Sequence, residues 1–546
     1  MITSVHSRAR TRRAVTRLAP CLLALLAVPA GLLVSCGSER PPTPGMAKDG
    51  GGTAGTNAGA GGSASAADAG GSLSTGAADA SLTGDAGGGG HSAARPNIIF
   101  VLADDLSMNL VSYMPHVLKM QRDGVTFSNY FVTDSLCCPS RTSMFTGKYP
   151  HNSGVFTNTG NDGGYATYLS QGNDPQTFAV ALQSSGYRTA MLGKFLNGYD
   201  PTANNASMGW TDWDVAGNGY PEFNYDLNEN GKLVHYGKTA ADYLTDVVSG
   251  LGQTFIKQSS AKPFMIEIAS FAPHAPYTPA PRHAALFAGL TYPRTPAFAS
   301  RPTATDPAWM QALPALTAAQ VTDMNHAFRL RAQAVQAVDE MIGALRQALI
   351  ASGHDKDTYI FFGSDNGYHM GEHSQLPGKM TAFNTDIHVP LIVVGPGVPA
   401  GLTIDKIAQN IDLCPTFAEL GQAAAPATAN GHSLVQLLHG EVVADWRNVA
   451  LIEHHDPKFD PTDPDADTGV VKNPPTYNAL RSVNRVYVEY VGGETEYHDR
   501  TTDPYEIKNT AAGLSSAQVA KLHDTITAIK TCKTAAACWT AQHMMP

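Results

Sequence analysis

The stretch Asn97-Ile98-Ile99-Phe100-Val101-Leu102-Ala103-Asp104-Asp105 is an unbroken apolar run that ends in two aspartates. Such a run is typical of a central strand that is buried on both faces of a parallel sheet. Further apolar runs lie at 188–192, 264–269, 358–362 and 390–394. Because longer segments separate these runs, they are predicted to be strands of one sheet joined by crossover connections.

Helical periodicity fills part of the space between these strands. The clearest pattern belongs to a helix predicted to begin near Thr317, whose apolar residues recur at spacings of three and four: Val335, Val338, Ile342, Leu345 and Leu349. Strands that alternate with helices predict an α/β fold with a central, mostly parallel sheet flanked by helices. After about residue 446 the pattern changes to short strands at 448–452, 477–481 and 486–490, followed by a helix from Ser516 to about Ile529. We therefore expect a smaller C-terminal antiparallel sheet and helix.

The first 94 residues are set apart by composition. Residues 1–35 combine five arginines with an apolar stretch that ends before Cys36, which is typical of a bacterial lipoprotein signal. Cleavage there would leave Cys36 for lipidation; a plain secretory signal is the alternative. Residues 36–94 are predicted to be a flexible linker, since 34 of the 45 residues from Gly50 to Ala94 are Gly, Ala or Ser.

This organisation predicts a large α/β domain over 95–445 and a C-terminal subdomain over 446–546. We expect an exported protein that touches the membrane through its lipid anchor only, on the periplasmic side or the outer surface. The chain of 546 residues has 37 basic and 47 acidic residues, a net charge of −10. Nucleic acid is therefore excluded as a partner, because phosphate binding requires a basic surface.

Cysteines are predicted to have separate roles. Cys532 and Cys538 lie close together near the C-terminus, and the exported context permits a disulfide between them; two free thiols are the alternative. Cys414 is interpreted as a small buried apolar residue.

Polar residues follow two of the predicted strands. Asp104 and Asp105 end the first, and Asp365 and Asn366 follow the strand at 358–362. Ligands of open α/β sheets bind outside the carboxyl ends of the strands, so the two loops are expected to converge. Three carboxylates and an amide oxygen predict a site for Ca²⁺ or Mg²⁺ rather than zinc. A turn or a helix cap is the competing interpretation of each pair taken alone.

The segment Cys137-Cys138-Pro139-Ser140-Arg141-Thr142-Ser143-Met144-Phe145-Thr146-Gly147 has the pattern Cys-x-Pro-Ser-Arg, four residues, Thr-Gly. This pattern resembles the motif of the formylglycine-dependent sulfatases, in which the first cysteine is oxidised to Cα-formylglycine during export. A soft thiolate suits a hard metal site poorly, whereas an aldehyde hydrate offers an oxygen to the metal and to an electrophile. A vicinal cysteine pair without chemistry is the alternative.

The resemblance extends over nearly all of residues 95–540. Within the family the chain is most similar to the N-acetylglucosamine-6-sulfatase and heparan-sulfate 6-O-sulfatase branch. The segments that carry this narrower similarity are 135–141, Gly193-Lys194-Phe195-Leu196-Asn197-Gly198-Tyr199, 227–231, 243–246 and Ser364-Asp365-Asn366-Gly367-Tyr368-His369. The resemblance implies an alkaline-phosphatase-like fold, a sulfatase catalytic domain at 95–445, and a sulfated carbohydrate as substrate.

Roles for individual residues follow from the same resemblance. Asp104, Asp105, Asp365 and Asn366 would bind one divalent metal, Ca²⁺ favoured over Mg²⁺, together with the formylglycine derived from Cys137. Arg141 would orient the formylglycine hydrate, and sulfate would be bound by three cations: Lys194, His274 and Lys379. Several cations around one anion are what a negatively charged transition state requires. Substrate contacts are expected from Asn197, which follows the position of an arylsulfatase histidine, and from His369 and His373.

The implied mechanism has two steps. One hydroxyl of the hydrate attacks sulfur after its proton passes to Asp365, and His274 protonates the departing sugar alcohol. The second hydroxyl then expels sulfate and restores the aldehyde. A formylglycine-generating enzyme is therefore an expected partner during maturation.

Other functions stay open on the sequence alone. An arylsulfatase of broad specificity or a phosphodiester or phosphonate hydrolase would share fold and metal. A non-catalytic, glycan-binding surface lipoprotein is the alternative from another class.

Overall fold

A computed structural model describes residues 95–203, 205–258, 260–457, 460, 463, 465 and 473–544. The predicted export signal, the linker and Cys36 lie outside the described residues. In the described part of the chain, no helix combines the length and the apolar character needed to cross a membrane.

The strands within the described residues fall into one large and two smaller sheets. Their bounds are β1 Asn97–Ala103, β2 Val125–Phe127, β3 Tyr130–Phe131, β4 Arg188–Lys194, β5 Asp212–Ala216, β6 Tyr225–Glu229, β7 Lys232–Tyr236, β8 Phe264–Ala269, β9 Thr358–Ser364, β10 Leu391–Val394, β11 Leu402–Ile404, β12 Ala408–Gln409, β13 Ala450–His454, β14 Tyr477–Arg481, β15 Arg485–Tyr490 and β16 Thr495–Asp499.

The α-helices range from single turns to a helix of 35 residues. Their bounds are α1 Pro115–Asp123, α2 Cys137–Thr146, α3 Pro150–Ser153, α4 Gly164–Ser170, α5 Phe178–Ser184, α6 Leu244–Lys257, α7 Ala308–Gln311, α8 Ala318–Ser352, α9 Asn384–Ile387, α10 Leu413–Leu420, α11 Val435–Leu438, α12 Ser516–Thr531 and α13 Ala535–Ala541. Short 3-10 helices lie at Met108–Tyr113, Gly160–Asp162, Pro201–Ala203, Ala240–Asp242, Pro281–His283, Asn410–Asp412 and Ala511–Gly513.

The large sheet has ten strands in the order β11-β2-β10-β9-β1-β8-β4-β5-β6-β7. Its five central strands, from β9 to β5, are mutually parallel. The predicted α/β fold with a mostly parallel sheet is therefore confirmed. Strand β10 departs from the parallel direction, since it pairs antiparallel with both β9 and β2. The edge strands β6 and β7, which sequence reasoning did not identify, add an antiparallel hairpin beyond β5.

Both faces of β1 are buried, as its apolar composition predicts. Ile98, Phe100 and Leu102 pack into one hydrophobic core, while Ile99 and Val101 pack into a second core on the opposite face. The second core contains the apolar stripe of α8. This helix begins where Thr317 accepts a hydrogen bond from the backbone of Gln320, while the Gln320 side chain accepts one from the Thr317 backbone. The cap fixes the start that the sequence predicts.

The C-terminal sheet is antiparallel throughout, in the order β13-β14-β15-β16. Helix α12 packs on it through Leu522, Ile526 and Ile529, which confirms the predicted subsheet and helix. Cys532 and Cys538 form a disulfide at the end of α12, and Cys414 is a free, buried cysteine. The domain boundary at residue 446 stays a prediction, and the first hydrophobic core extends without a break from the large sheet into β13, β14 and β15.

Phe417 on α10 lies at the centre of an aromatic cluster in the first core. Its ring centroid is 5.6 Å from that of Phe100, 5.1 Å from Phe178 and 5.0 Å from Phe361. Phe417→Ala should lower the free energy of unfolding by about 3–5 kcal/mol, because the site is fully buried and leaves a cavity. Val442→Ala is the control, since that side chain is 97% exposed. Urea denaturation followed by tryptophan fluorescence measures both; equal effects would contradict the core assignment.

Candidate active site

The two acidic pairs meet because β1 and β9 are parallel neighbours in register. Ala103 lies opposite Ser364, so the residues that follow each strand emerge at the same edge of the sheet. The backbone N–H of Asp105 donates to Oδ1 of Asp365 at 3.1 Å, and Nδ2 of Asn366 donates to Oδ1 of Asp105 at 2.6 Å. Asp105 has a φ of 63°, a left-handed conformation that is uncommon outside glycine. The predicted convergence of the two loops is therefore observed.

Cys137 is the first residue of α2 and is fully buried. Its Sγ lies 3.3 Å from Oδ1 of Asp104 and 2.9 Å from Nζ of Lys379. Burial and the charge of Asp104 raise the pKa of the Cys137 thiol well above its usual range. An unmodified thiol at this position is therefore neutral and a weak nucleophile.

Three buried cations surround the acidic pairs. Lys194, at the end of β4, pairs with the carboxylate of Asp104, and Lys379 Nζ lies 2.7 Å from Oδ1 of Asp105. Arg141, one turn along α2 from Cys137, donates from Nε to Oδ2 of Asp365 at 2.8 Å and from Nη1 to the carbonyl of Lys194. These side chains are at most 5% exposed, so their charges act on the carboxylates with little screening by water.

Asp365 is the carboxylate most tightly held by this arrangement. Burial alone would raise its pKa, but the positive charges of Arg141, Lys194 and Lys379 lower it below the usual range. Its Oδ1 also accepts hydrogen bonds from the backbone N–H groups of Asp105 and Asn366. Asp365 is therefore an anion whose oxygens already have partners.

His274 follows β8 in the loop Ala272-Pro273-His274-Ala275-Pro276. Its Nδ1 donates to the carbonyl of Ala275 at 2.8 Å, which leaves Nε2 facing the carboxylates. Nε2 lies 3.0 Å from Oδ1 of Asp465 and 3.7 Å from Oδ2 of Asp105. Burial alone would lower the pKa of the His274 imidazole. The negative charges of Asp105 and Asp465 have the larger effect, so the pKa is raised above its usual value.

The donor set fits one hard divalent cation. One ligand atom each from Asp104, Asp105, Cys137 and His274 lies within 4.8 Å of the others, and all four residues are buried. Oδ2 of Asp105 and Oδ1 of Asn366 are buried without a hydrogen bond from any described residue. Buried oxygens of this kind are expected to have a partner, and carboxylate and amide oxygens are ligands of Ca²⁺ and Mg²⁺.

The three predicted substrate contacts have different surroundings. Asn197 Nδ2 donates to the hydroxyl of Tyr220 at 3.2 Å, and the Tyr220 ring lies beneath Nζ of Lys194 at 4.9 Å. His369 Nδ1 lies 2.9 Å from Asp386, and the backbone of His369 pairs with Gly378, next to Lys379.

His373 lies elsewhere, stacked on Phe383 with ring centroids 3.9 Å apart. It lines a cavity of about 300 Å³ whose described lining lacks Cys137 and the three cations. Burial lowers the pKa of His373 to about 3, so its ring is neutral. The structure thus brings Asn197 beside the Lys194 cation and separates His373 from the cation cluster.

Besides Tyr220, sequence reasoning missed three further residues at the site. Asp465 pairs with His274 and Lys379, while Asn158 donates to Asp465. Arg331, fully buried on α8, donates to the carbonyl of Asp105 and to Ser107. Of these three, only Arg331 could have been suspected from the sequence. It is a charged residue next to the apolar stripe of α8, where a buried charge usually has a specific partner. The segment around Asp465 has no strand or helix pattern to place it.

Comparison with protein families gives two matches. The model described as Sulfatase matches residues 96–423. A second model, described as N-sulphoglucosamine sulphohydrolase, C-terminal, matches residues 371–531. Together they cover the large sheet, the candidate site and the whole C-terminal sheet.

Curated relatives agree with the first match. The N-acetylglucosamine-6-sulfatase of Homo sapiens is 33% identical over 80% of this chain and 85% of its own length. The same enzyme of Capra hircus is 33% identical over 82% and 85%. The N-acetylglucosamine-6-O-sulfatase of Bacteroides thetaiotaomicron is 28% identical over 66% of this chain and 74% of its own.

Solved structures share the fold. The structure of BT4656 in complex with its substrate D-glucosamine-2-N,6-O-disulfate has a TM-score of 0.65 at 24% identity, covering 79% of this chain and 97% of its own. The phosphonate monoester hydrolase of Agrobacterium radiobacter has a TM-score of 0.62 at 20% identity, covering 81% and 97%. The alkaline-phosphatase-like architecture is thereby confirmed. With the family model and relatives above 30% identity over most of their length, this chain belongs to the sulfatase family and is a sulfuric ester hydrolase.

Proposed function

We propose that the chain removes sulfate from the 6-position of N-acetylglucosamine-type units in a sulfated carbohydrate, through a formylglycine made from Cys137 and one divalent metal. The observation that carries the proposal is the position of Cys137, with Lys379 and Asp104 both within 3.3 Å of Sγ. The substrate follows from the curated relatives, two of which are N-acetylglucosamine-6-sulfatases 33% identical to this chain.

Oxidation of Cys137 would replace a thiol that is poorly suited to this position. The buried thiol is neutral, so it is a poor nucleophile and a poor ligand for a hard cation. A formylglycine hydrate supplies a nucleophilic oxygen and a second hydroxyl through which sulfate can be released. Cys138 does not share this position, because its side chain packs in the first hydrophobic core.

The metal would be held by Asp104, Asp105, Asp365 and Asn366, with the modified Cys137 beside them. Bound there, a divalent cation supplies positive charge that stabilises negative oxygens during sulfuryl transfer. Asp365 also holds the Arg141 guanidinium at 2.8 Å. We favour Ca²⁺, because Ca²⁺ accepts more oxygen ligands in a less regular geometry than Mg²⁺ does.

The cations of the chain would bind the sulfate group. Lys194 and Lys379 are fixed by their carboxylate partners, so their charges are in place before the substrate arrives. Because Nδ1 donates to the Ala275 carbonyl, His274 would carry a proton on Nε2 as the imidazolium, the form that the negative charges of Asp105 and Asp465 favour by raising its pKa. From that atom it would protonate the oxygen of the departing sugar alcohol. Asn197 and Tyr220, beside Lys194, would contact the sugar.

Activity on defined substrates tests the proposal. Protein exported by a host with a formylglycine-generating enzyme should release sulfate from N-acetylglucosamine-6-sulfate, measured by ion chromatography. Cys137→Ala should lose turnover completely, because the nucleophile is removed, while Cys138→Ala should keep most of it. Equal loss in both variants would refute the assignment of the nucleophile. Faster hydrolysis of a phosphonate monoester than of any sulfate ester would refute the proposed reaction.

Removal of the metal is a separate prediction. Treatment with EDTA should lower kcat by at least about 100-fold, since the metal's charge stabilises the transition state. Addition of excess Ca²⁺ should restore the rate and Mg²⁺ should restore less. Full activity in buffer freed of metal would contradict the site built from Asp104, Asp105, Asp365 and Asn366.

We also propose export and lipid anchoring at Cys36, which the lipoprotein-type sequence of residues 1–36 supports. In cells given radiolabelled palmitate, the full chain should carry the label and partition with membranes. Cys36→Ser should lose the label. A labelled Cys36→Ser protein, or an unlabelled wild type, would reject the proposed anchor.

A further inference from the structure

Asp465 places a carboxylate among the cations that the proposed function assigns to sulfate. Its Oδ1 lies 3.0 Å from Nε2 of His274, and its Oδ2 lies 3.0 Å from Nζ of Lys379. Asn158 donates from Nδ2 to the same Oδ2 at 2.9 Å. The side chain is only 9% exposed. Three donors therefore converge on one carboxylate, which is the arrangement expected of a binding place for an oxyanion.

This carboxylate also lies directly against the nucleophile position. Oδ2 of Asp465 is 3.8 Å from Sγ of Cys137. An attacking atom on residue 137 must approach sulfur to about 3–3.5 Å in a reactive complex. A sulfate group that reaches both this atom and the Lys379 and His274 donors would need the volume that the Asp465 carboxylate fills. The two anions cannot share it, because of both steric overlap and charge repulsion.

We propose that Asp465 acts as an internal competitor for the sulfate position. It must leave Lys379 and His274 before a sulfate group can bind. The apparent affinity for any anion is then the intrinsic affinity reduced by the fraction of molecules in which the place is vacant. The inference rests on the proposed function, because it takes the cation cluster as the sulfate site.

The competition lowers the apparent affinity for free sulfate and for the substrate by the same factor. Free sulfate offers only its oxygens in exchange for the lost contacts of Asp465. A sulfated sugar brings further contacts through its ring, for example at Asn197 and Tyr220, which can offset the displacement. Asp465 therefore raises the concentration of inorganic sulfate, the product of the reaction, that is needed to occupy the site.

The test compares sulfate affinity in variants of the full chain. Isothermal titration calorimetry with inorganic sulfate, in calcium-containing buffer at constant ionic strength, gives Kd without any turnover. Asp465→Asn should lower Kd at least about tenfold, because the competing charge is gone. Asp465→Glu retains the charge and Asp355→Asn removes one exposed charge elsewhere; both should stay within about twofold of wild type.

Each outcome decides the question. Unchanged or weaker sulfate binding by Asp465→Asn, with an unchanged melting temperature, would overturn the inference and leave Asp465 a structural partner of Lys379. If Asp465→Asn is poorly folded, Asp465→Ser replaces it with the same expectation. The Asp465→Asn substitution is also made together with Lys379→Ala. If Asp465→Asn still increases sulfate affinity in the absence of the Lys379 side chain, the inference is overturned, because Asp465 would not be competing for that lysine. The wild type could also be inactive on N-acetylglucosamine-6-sulfate while Asp465→Asn still gains sulfate affinity. That pair of results would reject the proposed function and support this inference.

Discussion

Charge compensation at one edge of the sheet is the constraint on which the rest of the site depends. Parallel β1 and β9 bring Asp104, Asp105 and Asp365 into a space that water barely reaches. An uncompensated buried carboxylate costs several kcal/mol, so each needs a cation close by. Lys194 and Arg141 meet this need from β4 and from α2. The fold therefore has to assemble four separate segments at the same point for any of them to be stable there.

The same compensation prepares the site for chemistry. Cations that already pair with carboxylates are held in place by the folded structure, so little reorganisation is needed when an anion arrives. Arg331 on α8 also helps to fix the site, because its guanidinium donates a hydrogen bond to the carbonyl of Asp105. The long helix thus connects the hydrophobic core directly to the backbone that carries the acidic pair.

Much of this arrangement could be predicted from the sequence, and the exceptions have physical reasons. Buried central strands need continuous apolar runs, so β1, β8 and β9 were predicted correctly. The cap at Thr317 is equally local. Strand direction is not local, which is why the antiparallel pairing of β10 was not foreseen. Asp465 enters the site from a segment without periodicity, and only tertiary structure brings it to Lys379.

The charge of Asp465 bears on which esters the site can accept. A carboxylate and a sulfate monoester each carry one negative charge, so exchanging one for the other leaves the net charge beside Lys379 and His274 unchanged. A phosphate monoester carries about 1.5 to 2 negative charges at pH 7 and would add to an already acidic cluster. A phosphonate monoester, however, is also a monoanion, so charge alone does not separate it from a sulfate ester. Discrimination between those two must come from contacts to the leaving group, which the proposed function assigns to Asn197 and Tyr220.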